Sequence, residues 1–399
     1  MDAGATRPLD VFIVAGEESG DLLGAALMGG LTQAAPHGVR FRGVGGTRMA
    51  GQGLDSLFPM EDLTAMGFGA VVAKLPTLIR RLGQTVEAIC AAPPDVLVLV
   101  DAPDFTHRVA ARVRRRCPHI PIVKYVSPTV WAWRPGRAKA MRAYTDRLMA
   151  LLPFEPAVHE RLGGPPTIYV GHPLLERLAD LRPTPQDAVR RESAPPVVLV
   201  LPGSRRMELE RLGPVFGAAV AQLAARRDVE LVLPTLPRVR GRVEALVADW
   251  AVKPRIITDP GEKHAAFRQA RAALAASGTV TLELALAGVP TVAAYRVAEW
   301  EAKIAPHVIK LITSVILANL VLGENVVPEF LQHDCTPEKL SAALDRILDD
   351  GPDRERQLSA FARLDEILGA DDAPASQRAA AVVLEVVGQG SGGMGRRGA

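Results

Sequence analysis

Short, almost wholly apolar runs recur along the chain, and several end in a small or acidic residue just before a helix-like pattern begins. VFIVA at 11–15 leads into GEESGD, VLVLV at 96–100 into DAPDF, VVLVL at 197–201 into PGSRRMELE, and AALAA at 272–276 into SGTVTLELALAGVP. Apolar runs of about five residues bounded by turn signals fit strands buried on both faces, and their alternation with helices predicts parallel, doubly wound sheets. One series comprises VFIVA, FRGVG, VLVLV, IVKYV and LMALL, with helices from Asp21 and Phe105 and an amphipathic stretch over 66–82. A second series, VVLVLP, LVLPT, RIIT, AALAAS and TVAAY, follows a proline- and charge-rich stretch from Leu181 to Pro196 that reads as an interdomain linker. The expected fold is α/β, with two Rossmann-like parallel-sheet domains at 1–185 and 195–365 facing one cleft. The glycine-rich end, 389–399, reads as a disordered tail.

Composition adds little against this picture. A chain of 399 residues, 48% apolar and 23% charged, suits a soluble two-domain enzyme rather than a disordered or membrane-spanning chain. The net charge is +3, with the excess concentrated in residues 1–150, where Arg112, Arg114, Arg115 and Arg116 precede Arg134, Arg137, Lys139 and Arg142. Such clusters suit anionic lipid or a phosphorylated substrate, or simply a solvated helix face. No nucleic-acid module accompanies them, so nucleic acid is not an expected partner. Cys90, Cys117 and Cys335 lack metal-ligand spacing and suit a reducing cytoplasm. The start carries no export signal, and the apolar stretch from Leu311 to Gly323 is too short to span a bilayer.

Candidate chemistry lies where the strands end. Asp101 terminates an apolar strand, a costly place for a carboxylate without partners or work, and it is the candidate general base. Asp104 reads as a helix cap and His107 as a satisfied structural histidine. In the second series, Ser204 and Arg205 follow a strand, and the planar guanidinium suits a diphosphate; an ion pair with Glu208 or Glu210 is the bland alternative. Ser277 or Thr279 can cap a helix whose entrance at Gly278 admits a ligand. Glu283, one turn on, can take ribose hydroxyls or be merely solvated. Neither loop is a Walker A or GxGxxG motif, and GVGG at 43–46 is too weak for a nicotinamide reading. Trp131 and Trp133, two apart on a presumed extended segment, form an apolar wall beside Arg134 or ordinary core. Met66, Phe68, Val71, Val72, Leu75, Leu78 and Ile79 interleave with Lys74, Arg80 and Arg81 as in an interfacial helix, or as in any helix packed on a core.

Taken in order, AGEESGD, GVGGTRM, MGFGAVV, DAPDF, YVSPTVWAWRPGR, LPFE, GHPL, LPGSRRMELE, ASGTVTLELALAGVP and NLVLGENVVPEFLQ resemble the lipid-A-disaccharide synthase family over most of residues 11–340. Those enzymes are inverting glycosyltransferases of GT-B architecture, family GT19. The resemblance implies transfer of 2,3-diacylglucosamine from its UDP derivative to 2,3-diacylglucosamine 1-phosphate, giving a β-1,6 disaccharide 1-phosphate and UDP. It implies no cofactor or metal, a peripheral position on the inner face of a Gram-negative inner membrane, and compatibility with a homodimer. By motif it assigns Asp101 as base and Ser204, Arg205, Ser277, Gly278, Thr279, Glu283, Asn319, Glu329 and Gln332 to UDP. It assigns Glu17, Ser19, Asp21, Ser127, Trp131 and Trp133 to the sugars. The family motif has proline before the asparagine, where this chain has Ala318. The architecture also implies a last helix, about 370–388, returning to the first domain. Two other functions fit the residues: a UDP-sugar 2-epimerase, which would need no acceptor, and a nucleotide-binding module that docks on membranes without turnover.

Overall fold

The computed structural model describes residues 7–63, 68–297, 314–370 and 372–393; side chains are described outside 64–73, 298–313 and the two ends. The chain divides into two compact units, one running to Leu175 and resuming at Asp372, the other comprising Glu176–Asp371. Each is a parallel sheet of the Rossmann type.

The first unit holds strands β1 (Leu9–Ala15), β2 (Val39–Val44), β3 (Asp55–Ser56), β4 (Val96–Val100), β5 (Ile122–Tyr125), β6 (Arg147–Ala150) and β7 (Thr167–Tyr169). Their order is β3-β2-β1-β4-β5-β6-β7, every pairing parallel. Alternate side chains of β1 serve opposite faces: Val11, Ile13 and Ala15 pack in one core, Phe12 and Val14 in the other. Helix Ala375–Gly393 lies on helix Glu18–Ala34 and contributes Ala379, Ala380 and Val383 to the first of these cores. The approach is close because Gly30 has no side chain; a Cβ there would sit 2.7 Å from the Ser376 carbonyl oxygen.

The second unit holds β8 (Val197–Leu201), β9 (Glu230–Pro234), β10 (Arg255–Ile257), β11 (Ala270–Ala276), β12 (Thr291–Tyr295) and β13 (Glu329–Leu331). They are ordered β10-β9-β8-β11-β12-β13, again all parallel. Its core runs from Val198 and Val200 through Phe216, Val220 and Leu274 to Leu340 and Leu344.

Two expectations need correction. The stretch 181–196 is not a linker: it contains helix Pro185–Arg191, started by a capping box between Thr184 and Asp187 and packed within the second unit. Asp187 accepts from Arg268 at 2.7 Å and Gln269 at 2.8 Å, which the local run of prolines and charges concealed. The helix that returns to the first unit also continues to Gly393, through residues expected to be a disordered tail. Residues 394–399 lie outside the described residues.

Candidate active site

In an open parallel sheet, ligands gather outside the strand ends where the crossovers leave in opposite directions. The first unit's switch point lies between β1 and β4, and that of the second between β8 and β11. The segments after those four strands carry Glu17, Ser19, Asp21, Asp101, Ser204, Arg205 and the Ser277–Glu283 residues.

At the first switch point the loops after β1 and β4 touch, with room made by Gly16, whose added Cβ would meet Ala102 Cβ at 2.8 Å. Ser19 Oγ donates to Asp101 Oδ2 at 3.1 Å, joining residues remote in sequence. Asp101 and Ala102 both have positive φ, 46° and 41°, a left-handed conformation costly for residues with a Cβ. Glu17 is exposed at the N-cap position of helix Glu18–Ala34 and forms no side-chain cap. Asp21 is buried, and its carboxylate accepts from the amides of Gly46 (2.7 Å), Arg48 (3.0 Å) and Met49 (3.1 Å). Its oxygens are taken up in starting the next short helix, so Glu17, Glu18 and Ser19 are the exposed polar groups of this loop.

Several local expectations change here. Asp104 caps nothing: the helix starts at Pro103, and Asp104 points outward, 3.5 Å from Arg137. His107 is not satisfied, since its buried Nε2 has no hydrogen-bond partner among the described residues; burial first, then the charges of Lys124 and Arg137, push its pKa down to about 3. The tryptophans do not share a face of an extended segment, because turns at Thr129 fold it, with Trp133 N–H donating to the Thr129 carbonyl at 2.8 Å. Trp131 turns inward, edge-on to Phe154, and its indole donates to Glu155 at 3.3 Å, while Trp133 stays 46% exposed under the Arg134 guanidinium.

Ser127 is buried against His159, with Oγ 2.8 Å from Nε2 and 3.0 Å from the Pro128 carbonyl. One hydroxyl proton serves both contacts if the His159 Nε2–H donates to Ser127 and the hydroxyl donates to Pro128. Burial pushes His159 down to about 4, consistent with a neutral ring.

Glu155, which sequence reading passed over within LPFE, anchors this region by accepting from the amides of Leu151 (3.1 Å) and Leu152 (3.0 Å). Burial pushes its pKa up to about 7 from 4.5, despite those bonds. Between the two values the folded state holds the extra proton, so this group's contribution to stability falls as pH rises through that window. Glu155→Gln should therefore gain on the parent by roughly 1–3 kcal/mol as the pH is raised from about 5 to about 8. Denaturant midpoints at both pH values would measure it, and a difference independent of pH would return Glu155 to an ordinary carboxylate.

At the second switch point, β8 passes through Gly203 into helix Arg206–Ala224. Gly203 has φ +104°, and a Cβ would fall 2.4 Å from a Glu208 oxygen. Glu208 accepts from the amides of Ser204 (3.1 Å) and Arg205 (3.2 Å) and pairs with the Arg205 guanidinium at 3.0 Å. Arg205 remains 76% exposed, and such a pair is worth only about 0–1 kcal/mol, so an incoming diphosphate can displace it.

Neither Ser277 nor Thr279 caps the helix Val280–Leu286 with its side chain; Ser277 Oγ donates instead to the Val315 carbonyl at 2.6 Å. At Gly278, φ +159°, no atom of the described residues apart from its chain neighbours lies within 4 Å of where a Cβ would stand. Glu283 is paired with Lys263 at 2.7 Å rather than merely solvated.

Asn319, Glu329 and Gln332 converge on the strands beside this loop. Asn319 is buried, accepting from Val326 (3.0 Å) and Val327 (2.9 Å) and donating to the Val327 carbonyl (2.9 Å) and Glu329 (3.0 Å). Glu329 accepts from Ser314 and from the Val315 amide at 3.1 Å, and Gln332 accepts from the Val297 amide at 3.0 Å. One network thus connects Ser277, Val315, Glu329 and Asn319.

The helix expected near 66–82 spans Phe68–Ala91. Met66 and the side chains of Phe68, Val71 and Val72 lie outside the described residues. Leu82, Val86 and Ile89 enter the core, Leu78 is half-buried, and Leu75 and Ile79 stand 46% and 56% exposed one turn apart. Among the described residues no helix is long and apolar enough to cross a membrane.

A family profile described as Lipid-A-disaccharide synthetase matches residues 11–383. The chain belongs to the lipid-A-disaccharide synthase family. Lipid-A-disaccharide synthase of Rhodopseudomonas palustris strain HaA2 is 57% identical over 96% of this chain and 97% of its own length. That of Bradyrhizobium diazoefficiens is 55% identical over 95% and 97%. Among solved structures, UDP-GlcNAc 2-epimerase from Neisseria meningitidis bound to UDP-GlcNAc matches with TM-score 0.62 at 12% identity, covering 96% of this chain and 100% of that one. MurG of Acinetobacter baumannii matches with TM-score 0.56 at 14% identity, covering 95% and 100%. At such identities the structural likeness shows the fold alone, which is GT-B. Membership of the synthase family rests on sequence and extends through both sheets.

Proposed function

We propose that this protein transfers 2,3-diacylglucosamine from UDP-2,3-diacylglucosamine to the 6-hydroxyl of 2,3-diacylglucosamine 1-phosphate, releasing UDP. The observation that carries the mechanism is Asp101, set at the first sheet's switch point and held by Ser19 at 3.1 Å. Its carboxylate takes the proton of the acceptor hydroxyl as that oxygen bonds to the anomeric carbon. The bond from that carbon to the UDP oxygen breaks on the opposite face, which inverts the configuration. Arg205 meets the charge that gathers on the departing diphosphate. The amides of the Gly278 loop are the other donors for it, and Glu283 takes the ribose hydroxyls. Asn319 and Glu329 act by holding the Ser277 loop, and Gln332 holds the segment after β12 through the Val297 amide. Glu17, Ser19 and the Trp131–Trp133 turn form the sugar side.

The deciding assay is UDP release in detergent with both substrates, following the lipid by mass. Acceptor-dependent disaccharide 1-phosphate supports the proposal. Consumption of donor without acceptor would favour an epimerase, and binding of UDP without consumption a non-catalytic module.

Acylated substrates reside in a bilayer, and the outward pair Leu75 and Ile79 beside exposed Arg80 suits its surface. We read the protein as peripheral on the inner membrane, with helix Phe68–Ala91 as the contact. Leu75→Asp with Ile79→Asp should cut co-flotation with anionic liposomes at least about fivefold, since each buried leucine-sized side chain contributes roughly 1.5–3 kcal/mol. Unchanged flotation would move the contact elsewhere.

A further inference from the structure

Lys124 stands in the middle of β5 with every strand residue buried, and it is 1% exposed. An apolar residue there would avoid the cost of removing an ammonium group from water, which amounts to several kcal/mol when it is not compensated. The compensation lies in the loop that carries the candidate base. Lys124 Nζ donates to the backbone carbonyl of Asp101 and contacts Thr106 Oγ1 at 3.2 Å. Thr106 Oγ1 lies 2.7 Å from the same carbonyl and 3.0 Å from that of Ala102. On the other side the Asp101 amide donates to the Tyr125 carbonyl at 3.0 Å, one residue along β5 from the lysine.

These bonds enclose the two consecutive left-handed residues, Asp101 and Ala102. Such a turn costs roughly 1–2 kcal/mol per residue and persists only where its surroundings hold it. Burial pushes Lys124 down to about 7, with Asp101 acting in the opposite direction. Charged or neutral, the amine keeps an N–H for the Asp101 carbonyl.

We propose that Lys124 is a positioning residue for the reaction: from beneath the sheet end it pins the Asp101 carbonyl and so fixes where the Asp101 carboxylate meets the acceptor hydroxyl. This rests on Asp101 being the base. A displacement of about 1 Å in a reacting group can cost about a hundredfold in rate, so the effect falls on kcat rather than on binding.

The test is a double-mutant cycle of Lys124→Met and Asp101→Asn, with kcat, KM for both substrates, UDP affinity by calorimetry and melting temperature measured throughout. Lys124→Met alone should lose about a hundredfold in kcat with KM and UDP affinity within about twofold. In the Asp101→Asn background it should lose about twofold or less, because the group it positions is gone. Equal losses in both backgrounds, or KM and UDP affinity changing along with kcat, would make Lys124 a structural residue and overturn the inference. An inactive Asp101→Asn beside a fully active Lys124→Met would overturn the inference alone. A fully active Asp101→Asn would remove the base and the inference together. Should Lys124→Met fail to fold, Thr106→Val, which removes the other hydroxyl contact to the same carbonyl, enters the same cycle with the same outcomes.

Discussion

Asp101→Asn is expected to lower turnover about a thousandfold, within the range of roughly 10²–10⁴ that a general base contributes, while leaving UDP affinity unchanged. The substitution keeps the shape of the side chain, and an amide can still accept from Ser19 Oγ, so the left-handed turn and the packing behind it persist. What is lost is the capacity to take the acceptor's proton. Disaccharide formation followed by mass would measure the loss, with calorimetric titration of UDP as the control on the second unit. Activity above about a tenth of the parent would remove Asp101 from the base role, because proton transfer would then be contributing less than the lower end of that range.

Arg191→Met should destabilise the second unit by about 3–5 kcal/mol, because it removes the donor from four buried backbone carbonyls at roughly 1–3 kcal/mol for each left unsatisfied. Arg191 is 8% exposed and donates to four carbonyls: Arg268 and Gly288 at 3.0 Å, Ala287 at 3.0 Å and Phe267 at 3.2 Å. Burial, followed by repulsion from Arg354, pushes its pKa down to about 10, so the residue stays charged at neutral pH. Methionine fills part of the space and leaves those carbonyls without donors. The chain has two units and need not unfold in one step, so the measurement is hydrogen exchange resolved by peptide. Protection should fall across the helix Pro260–Gln269 and β11 while β1 and β4 keep theirs. A shift below about 1 kcal/mol would mean that water replaces the guanidinium and that the segment 181–196 is as loose as its composition suggests.

That segment shows where local pattern misleads. Prolines at 183, 185, 195 and 196 and the charges between them suggest a linker, yet Pro185 occupies the first turn of a helix and Arg191 completes a buried network. Composition cannot distinguish a charge that faces water from one that faces carbonyls remote in sequence. The same limit explains Asp21, which the family resemblance assigned to the sugars, and Glu155, which drew no reading; both are buried acceptors of backbone amides. It explains the edge strands β3, β7 and β13 as well. They are two or three residues long and lack the apolar runs of the central strands, since an edge strand is covered less completely.

The sequence by itself determined that there are two parallel-sheet units, because a strand buried on both faces must be apolar throughout, and it marked the strand ends where polar residues become affordable. It also singled out Asp101, Arg205 and the Ser277–Glu283 loop as candidates, since a carboxylate, a guanidinium or a glycine directly after such a strand is conspicuous. Tertiary structure alone decided which of these residues meet. Ser19 reaches Asp101 only because β1 and β4 are neighbours in the sheet, and Lys124 reaches the same residue only because β5 lies next to β4. Strand order is set by packing between residues far apart in the chain, and no local pattern of apolar and polar positions encodes it.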